Sequence, residues 1–130
     1  MTFTVCAVCL VNQGGKFLLC KRLDPKNPSI DGVWEFPGGA LESGEQPLEG
    51  VRREVREEVG VDLVDPTLLH TFTFKWQRTE DVLVIVYSAG CLGIPQPKEE
   101  HSEVRWVSRG EGLSVLRWEG LREALHLLPE

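Results

Sequence analysis

Apolar residues recur along this chain with two periods, two and about 3.6, and the changes of period divide it into elements. Residues 3–11 are apolar on both alternating sets, Phe3, Val5, Ala7, Cys9 and Val11 on one and Cys6, Val8 and Leu10 on the other. Such a strand is buried between two layers. Asn12-Gln13-Gly14-Gly15 is a hairpin signal, and 16–22 returns as a second strand through Phe17, Leu18, Leu19 and Cys20. Residues 23–33 hold Pro25, Pro28 and Gly32 and read as a loop, and 34–36 is a short strand leading into a Gly38-Gly39 loop. A helix follows over 47–59, with Pro47 at its first position, Gly60 closing it, and Leu48, Val51, Val55 and Val59 as its docking stripe.

Residues 68–76 alternate loosely, and 82–91, VLVIVYSAGC, is the most β-prone run and reads as a central strand. The two pair as antiparallel neighbours across a turn at 77–80. Pro95, Pro97 and the cluster Lys98-Glu99-Glu100-His101 make 93–102 a surface loop, and 104–107 is a short strand. Residues 110–116 are ambiguous. Trp118, Leu121, Leu125 and Leu128 recur at helical spacing, giving a second amphipathic helix over 118–128. The inventory is a mixed β-sheet with a helix on each side, an α/β/α sandwich of the α/β class. No repeat or linker interrupts residues 1–130, so one domain is expected.

Composition narrows the function classes. A net charge of -6 argues against a binder of nucleic acid polymers, which would show a basic stripe. No apolar run reaches the length of a membrane span, and Met1-Thr2-Phe3 lacks the basic start of a signal peptide. Cys6 and Cys9 have metal-knuckle spacing, but odd offsets in a strand point to opposite faces and no second pair accompanies them. Cys6, Cys9, Cys20 and Cys91 all sit among Val, Leu and Ala, as free buried thiols do, and a reducing cytoplasmic compartment follows. The three histidines read plainly: His70 in a strand, His101 in a loop, His126 on a helix flank. Ser43 and Ser88 lack a nucleophile elbow, and neither a Walker loop nor GxGxxG is present. Trp34, Phe74 and Trp76 read as core, with one aromatic near the sheet edge free to stack a base.

The candidate chemistry lies in 38–61, GGALESGEQPLEGVRREVREEVGV. On one helix, Glu54 and Glu58 stack a turn apart with Glu57 beside them, three carboxylates within an arc of roughly 100°. Like charges so placed repel, and a hard divalent cation with oxygen ligands offsets them best. The Gly-Gly pair lets backbone approach a ligand closely just before the helix.

The spacing of Gly39, Glu45, Arg53-Glu54-Val55, Glu57-Glu58 and Gly60-Val61 fills nine restricted positions over 23 residues and resembles the Nudix box. The preceding WEFPGG and the later Glu103-Val104-Arg105-Trp106-Val107 are also similar to segments of the MutT/Nudix hydrolases, which cut nucleoside diphosphates linked to another moiety. Gly50 departs from the family's usual Ala; it reads as a close-packing point against the sheet, or else as a slight weakness in the helix. The resemblance implies the Nudix fold and a Mg²⁺-dependent pyrophosphohydrolase, Mn²⁺ serving in its place. It makes Glu54 and Glu58 metal ligands with the Gly38 carbonyl, and Glu57 a further ligand or orienter. Arg53 would hold Glu45, and Arg22, otherwise a solvated strand end, would reach the substrate phosphates near Gly39. A last glutamate from the loop after the central strand is Glu100, with Glu99 or Glu103 as replacements.

Substrate class follows largely by absence. Where ADP-ribose hydrolases tend to carry a Pro past the box, this chain has Lys75, Trp76, Gln77 and Arg78, and Arg78 and Thr79 stand where diadenosine polyphosphate hydrolases tend to carry a Tyr. A (deoxy)nucleoside triphosphate, cut to monophosphate and pyrophosphate by a monomer or homodimer, is therefore expected. The other readings are an ADP-ribose or dinucleoside polyphosphate hydrolase, or a silent nucleotide-sensing module, which would have lost a box glutamate. The Nudix-fold isomerase of isopentenyl diphosphate would need a longer chain and a catalytic Cys in other surroundings.

Overall fold

The structure, a computed structural model, describes residues 2–129; Met1 and Glu130, and with Met1 the first residue of the signal-peptide argument, lie outside it. Its elements in chain order are β1 (Phe3–Gln13), β2 (Lys16–Arg22), β3 (Trp34–Glu35), β4 (Gly38–Ala40), α1 (Pro47–Val59), β5 (Asp62–Trp76), β6 (Glu80–Leu92), β7 (His101–Val107), α2 (Arg109–Val115) and α3 (Glu119–Leu127). The strands form one sheet ordered β3-β2-β1-β6-β5, with β4 paired to β1 and β7 to β2. Among the described strand pairs, β1 and β6 run parallel and the others are antiparallel.

Apolarity on both faces of β1 places a core on each side of the sheet. Ala7, Cys9 and Val11 face Val51, Val55 and Val59 of α1, while Leu10 joins Val82, Val84 and Val86 of β6 beneath Leu121, Ala124 and Leu125 of α3. This is the α/β/α sandwich with its mixed sheet. Gly14 and Gly15, at φ 58° and 77°, make the two-residue β1–β2 turn, which demands left-handed backbone at both positions.

Helix α1 starts on a capping box between Gln46 and Glu49 with Pro47 at its first turn, and ends on Gly60 at φ 74°. Leu48 departs from the docking stripe and is 39% exposed. Leu41 covers that turn instead: a Cβ built on Gly50 would meet its Cδ2 at 2.3 Å and Glu45 Oε1 at 3.0 Å. Gly50 is thus a close-packing point, against the segment entering the helix rather than against the sheet.

Four boundaries also moved. Gly38-Gly39, read as loop, forms β4 and pairs with Val8 and Ala7. Strand β5 begins at Asp62, because its edge position tolerates Pro66 and two register shifts, with Asp65 at φ 50°. The ambiguous 110–116 segment belongs to α2, capped by Ser108. Finally, β7 begins at His101, so this residue lies buried on a strand and not in the surface loop. The strong β6 run does sit centrally, and β5 pairs with it antiparallel across 77–79.

Candidate active site

Strand β4 and helix α1 meet at the edge of the sheet, and backbone geometry brings the carboxylates together there. Gly38 adopts φ 146°, and a Cβ on it would strike the Ala7 carbonyl and Val8 Cα at 2.4 Å, so only glycine lets β4 lie this close to β1. Its N–H, turned away from β1, donates to Glu58 Oε2 at 3.0 Å. A Cβ on Gly39 would stand 2.8 Å from the Glu54 carboxyl, which therefore lies directly over that glycine.

The three helix carboxylates divide by burial: Glu58 is 5% exposed, Glu54 16% and Glu57 59%. Arg53 ties Glu54 and Glu57 to the preceding segment. It donates from Nε to Glu45 Oε2 at 2.7 Å and from Nη2 to Glu45 Oε1 at 3.0 Å, while Nη1 reaches Glu54 Oε1 and Glu57 Oε2, both at 3.1 Å. Such a bidentate pair fixes orientation as well as distance. The guanidinium and the Glu42 N–H hold the Glu45 carboxyl down at about 2, and Arg53 itself is pushed up, chiefly by Glu45.

Glu58 behaves oppositely. Burial, and then the fields of Glu54, Glu35 and Glu100, drive its carboxyl up to about 9 despite the Gly38 hydrogen bond. A cation would offset this crowding of carboxylates, and the oxygen donors of Glu54, Glu58 and the Gly38 backbone suit a hard divalent one. The residues present fit Mg²⁺.

Other named residues lie around this corner. Arg22 stands at the rim, its Nε 3.4 Å from Glu35 Oε1 and its guanidinium 5.8 Å from the Trp76 ring centre. Glu100 is exposed in the loop before β7, where its carbonyl accepts from Leu23 N. Glu103 pairs with Arg105 on β7, Nη2 to Oε2 2.6 Å, and is thus engaged elsewhere.

Two residues that sequence reasoning passed over also converge here. His101 Nε2 lies 3.0 Å from Glu35 Oε2, and its Nδ1 lies 3.5 Å from Glu58 Oε1. They come from β7, β3 and α1. The one local signal was a lone charged residue, Glu35, between Trp34 and Phe36 at a half-buried strand.

A cavity of about 250 Å³ opens from Gly38 and Gly39 across the sheet, away from α1. Its floor is Cys6 and Val8 with Val82 and Val84, and Phe72, Phe74, Trp76 and Trp118 wall it. Phe74 and Trp118 are 5.2 Å apart between ring centres, and Trp76 meets Trp118 at 6.1 Å. Phe74 and Trp76, read as core, therefore face a cavity. Trp34 packs instead under the Arg105 guanidinium at 5.2 Å.

Carboxylates gathered at a helix beside an aromatic cavity, on this sandwich, suit a hydrolase of phosphoric anhydrides, and the comparisons with known proteins point the same way. Residues 2–128 match the NUDIX domain family. The chain is 32% identical over 109 residues to nucleoside triphosphatase NudI of Escherichia coli O139:H28, covering 75% of this chain and 77% of that one. Among solved structures it is similar to a MutT NUDIX hydrolase from Burkholderia pseudomallei, with TM-score 0.83, 27% identity, and coverage of 99% and 100%. It is also similar to a MutT protein from Methanosarcina mazei Go1, with TM-score 0.82, 29% identity, and coverage of 95% and 91%. The chain belongs to the NUDIX family of hydrolases. No helix among the described residues is long and apolar enough to cross a membrane.

Proposed function

We propose that this chain, acting as one domain, hydrolyses a (deoxy)nucleoside triphosphate to the monophosphate and pyrophosphate. The observation that carries this reading is the cavity, one aromatic-walled compartment of about 250 Å³ ending at Gly38 and Gly39. It offers stacking surface for a single base, with the triphosphate directed to the carboxylate corner. The similar Escherichia coli chain is named a nucleoside triphosphatase, which supports the same class.

In this reading Glu54, Glu58 and the Gly38 carbonyl would hold Mg²⁺, with Glu57 as a further ligand or orienter. Bound there, the ion would neutralise phosphate charge and make hydroxide available near neutral pH. The chain's own groups do the rest. Arg53, locked on Glu45, keeps Glu54 and Glu57 aimed at the corner. Gly39, lacking a side chain, lets the Glu54 carboxyl lie over it and offers its backbone to the substrate, and Arg22 exchanges Glu35 for a phosphate oxygen. Glu100 takes a proton from the attacking water on its carboxylate.

Turnover of a nucleoside triphosphate, ADP-ribose and a diadenosine polyphosphate is compared at equal concentration with Mg²⁺. The triphosphate should have the highest kcat/KM and release pyrophosphate. A clear win for ADP-ribose would overturn the assignment.

A further inference from the structure

The side chain left over by this mechanism is His101. Its ring is 1% exposed, set on β7 between Glu35 of β3 and Glu58 of α1. In the neutral ring, the 3.0 Å contact from Nε2 to Glu35 Oε2 is a hydrogen bond donated by Nε2–H. That tautomer leaves Nδ1 with a bare lone pair. Nδ1 is buried, has no hydrogen-bond partner among the described residues, and points at Glu58 Oε1 from 3.5 Å. A ring lone pair facing a carboxyl oxygen is a place for a positive group between them, a proton in the metal-free protein or a metal ion in its stead.

The arrangement has the parts of a nitrogen-ligated metal site. A histidine bound to metal ordinarily donates its other ring N–H to a carboxylate, which fixes tautomer and ring orientation, and Glu35 does this. The spacing also distinguishes ions. Ligand atoms about 2.1 Å from a tetrahedral ion stand about 3.4 Å apart. Adjacent ligands of an octahedral Mg²⁺ stand about 2.9 Å apart, and Mg²⁺ gains little from imidazole. One acceptable ligand atom from each of Glu35, Glu58 and His101 lies within 4.8 Å of the others.

We propose that His101 Nδ1 and Glu58 Oε1 together ligate a borderline 3d cation, Zn²⁺ above all, with Glu35 holding the imidazole from behind. The proposal rests on the reading of Glu58 as a metal ligand, and adds to it a nitrogen ligand and a second class of ion. The oxygen-rich side of the corner, toward Glu54 and Gly38, remains the place suited to Mg²⁺. The site would accordingly discriminate between ions by which face of Glu58 they use.

The full chain, labelled with ¹⁵N in its three histidines, is titrated with Zn²⁺ without nucleotide while the imidazole nitrogens are followed by NMR. His101→Gln assigns the ring. One equivalent of Zn²⁺ should move the Nδ1 resonance away from its metal-free position while Nε2 keeps its hydrogen. By calorimetry, His101→Gln should weaken Zn²⁺ at least about tenfold, and Glu35→Gln should weaken it in the same direction. Mg²⁺ affinity should stay within about twofold in both. An unmoved Nδ1 in the Zn²⁺-bound wild type, or no uptake of Zn²⁺, overturns the proposal with no variant needed. Equal losses for Zn²⁺ and Mg²⁺ overturn it too, leaving His101 as a positioning residue for Glu58. Failure of the hydrolase reading shows separately, as absent Mg²⁺-dependent turnover with every nucleotide while the Zn²⁺ titration is unchanged.

Discussion

At the scale of single residues, Glu58 and Glu54 share a charge problem that a ligand solves. Ionising Glu58 in the folded protein works against burial and against Glu54, which pushes its carboxyl up to about 9. The sign follows from linkage. With the folded-state value above the unfolded one, the neutral form's contribution is complete below the ordinary carboxylate value. It is lost progressively as pH rises toward about 9. Metal-free wild type should therefore lose melting temperature between pH 5 and pH 9 on the order of several degrees, and Glu58→Gln should flatten that slope. The same variant, and Glu54→Gln, should lose nearly all turnover with Mg²⁺ while staying folded. Activity within about tenfold of wild type would sink the ligand assignment. Glu100 is a separate case, because its loop exposes it. Glu100→Ala should cut turnover strongly and Glu99→Ala hardly at all, with steady-state rates deciding; the reverse order, or silence at both, would move the proton-accepting role elsewhere.

At the scale of elements, β4 does two jobs with neighbouring glycines, and substitution separates them. Gly38→Ala brings a Cβ against the backbone of β1 at a φ that side chains avoid, and backbone cannot step aside. It should cost about 2–3 kcal/mol, or about 10 °C in melting temperature. Gly39→Ala meets only the end of the Glu54 side chain, which can swing away. It should melt within a few degrees of wild type yet bind Mg²⁺ more weakly, as calorimetry would detect. Matching melting losses in both variants would contradict this division. The same element marks the limit of sequence reading. The box residues are legible because one helix relates them by fixed rotation, and β1, β6, α1 and α3 are legible because their apolar periods are strong. Strand β4 was not, since two glycines carry no period and its pairing with Val8 and Ala7 is decided by tertiary contact. The start of β5 was hidden by Asp65-Pro66, a breaker that an edge strand absorbs with bulges. Glu35 and His101 meet across 66 positions of sequence, where no spacing rule operates.

At the scale of the molecule, the two faces of the sheet carry different tasks. The α1 side is packed solid with Val51, Val55 and Val59 and holds the carboxylates rigidly; the α3 side leaves the aromatic cavity open. Ion binding should therefore report on the whole fold, because Glu58 anchors to β4 and Arg53 to the segment between β4 and α1. An ion that binds only the folded state stabilises it by mass action, by about 2.7 kcal/mol at a hundredfold excess over its Kd. For a chain of this size that is about 10 °C. Mg²⁺ should raise the wild-type melting temperature by that order at pH 8, and less at pH 5, where protons compete for Glu58. Glu58→Gln should begin from a higher metal-free value and gain much less, because the repulsion that the ion relieves is already gone. Differential scanning calorimetry across a Mg²⁺ series on both proteins, at pH 8 and at pH 5, measures these quantities together. Equal gains in the two proteins would place the ion away from Glu58.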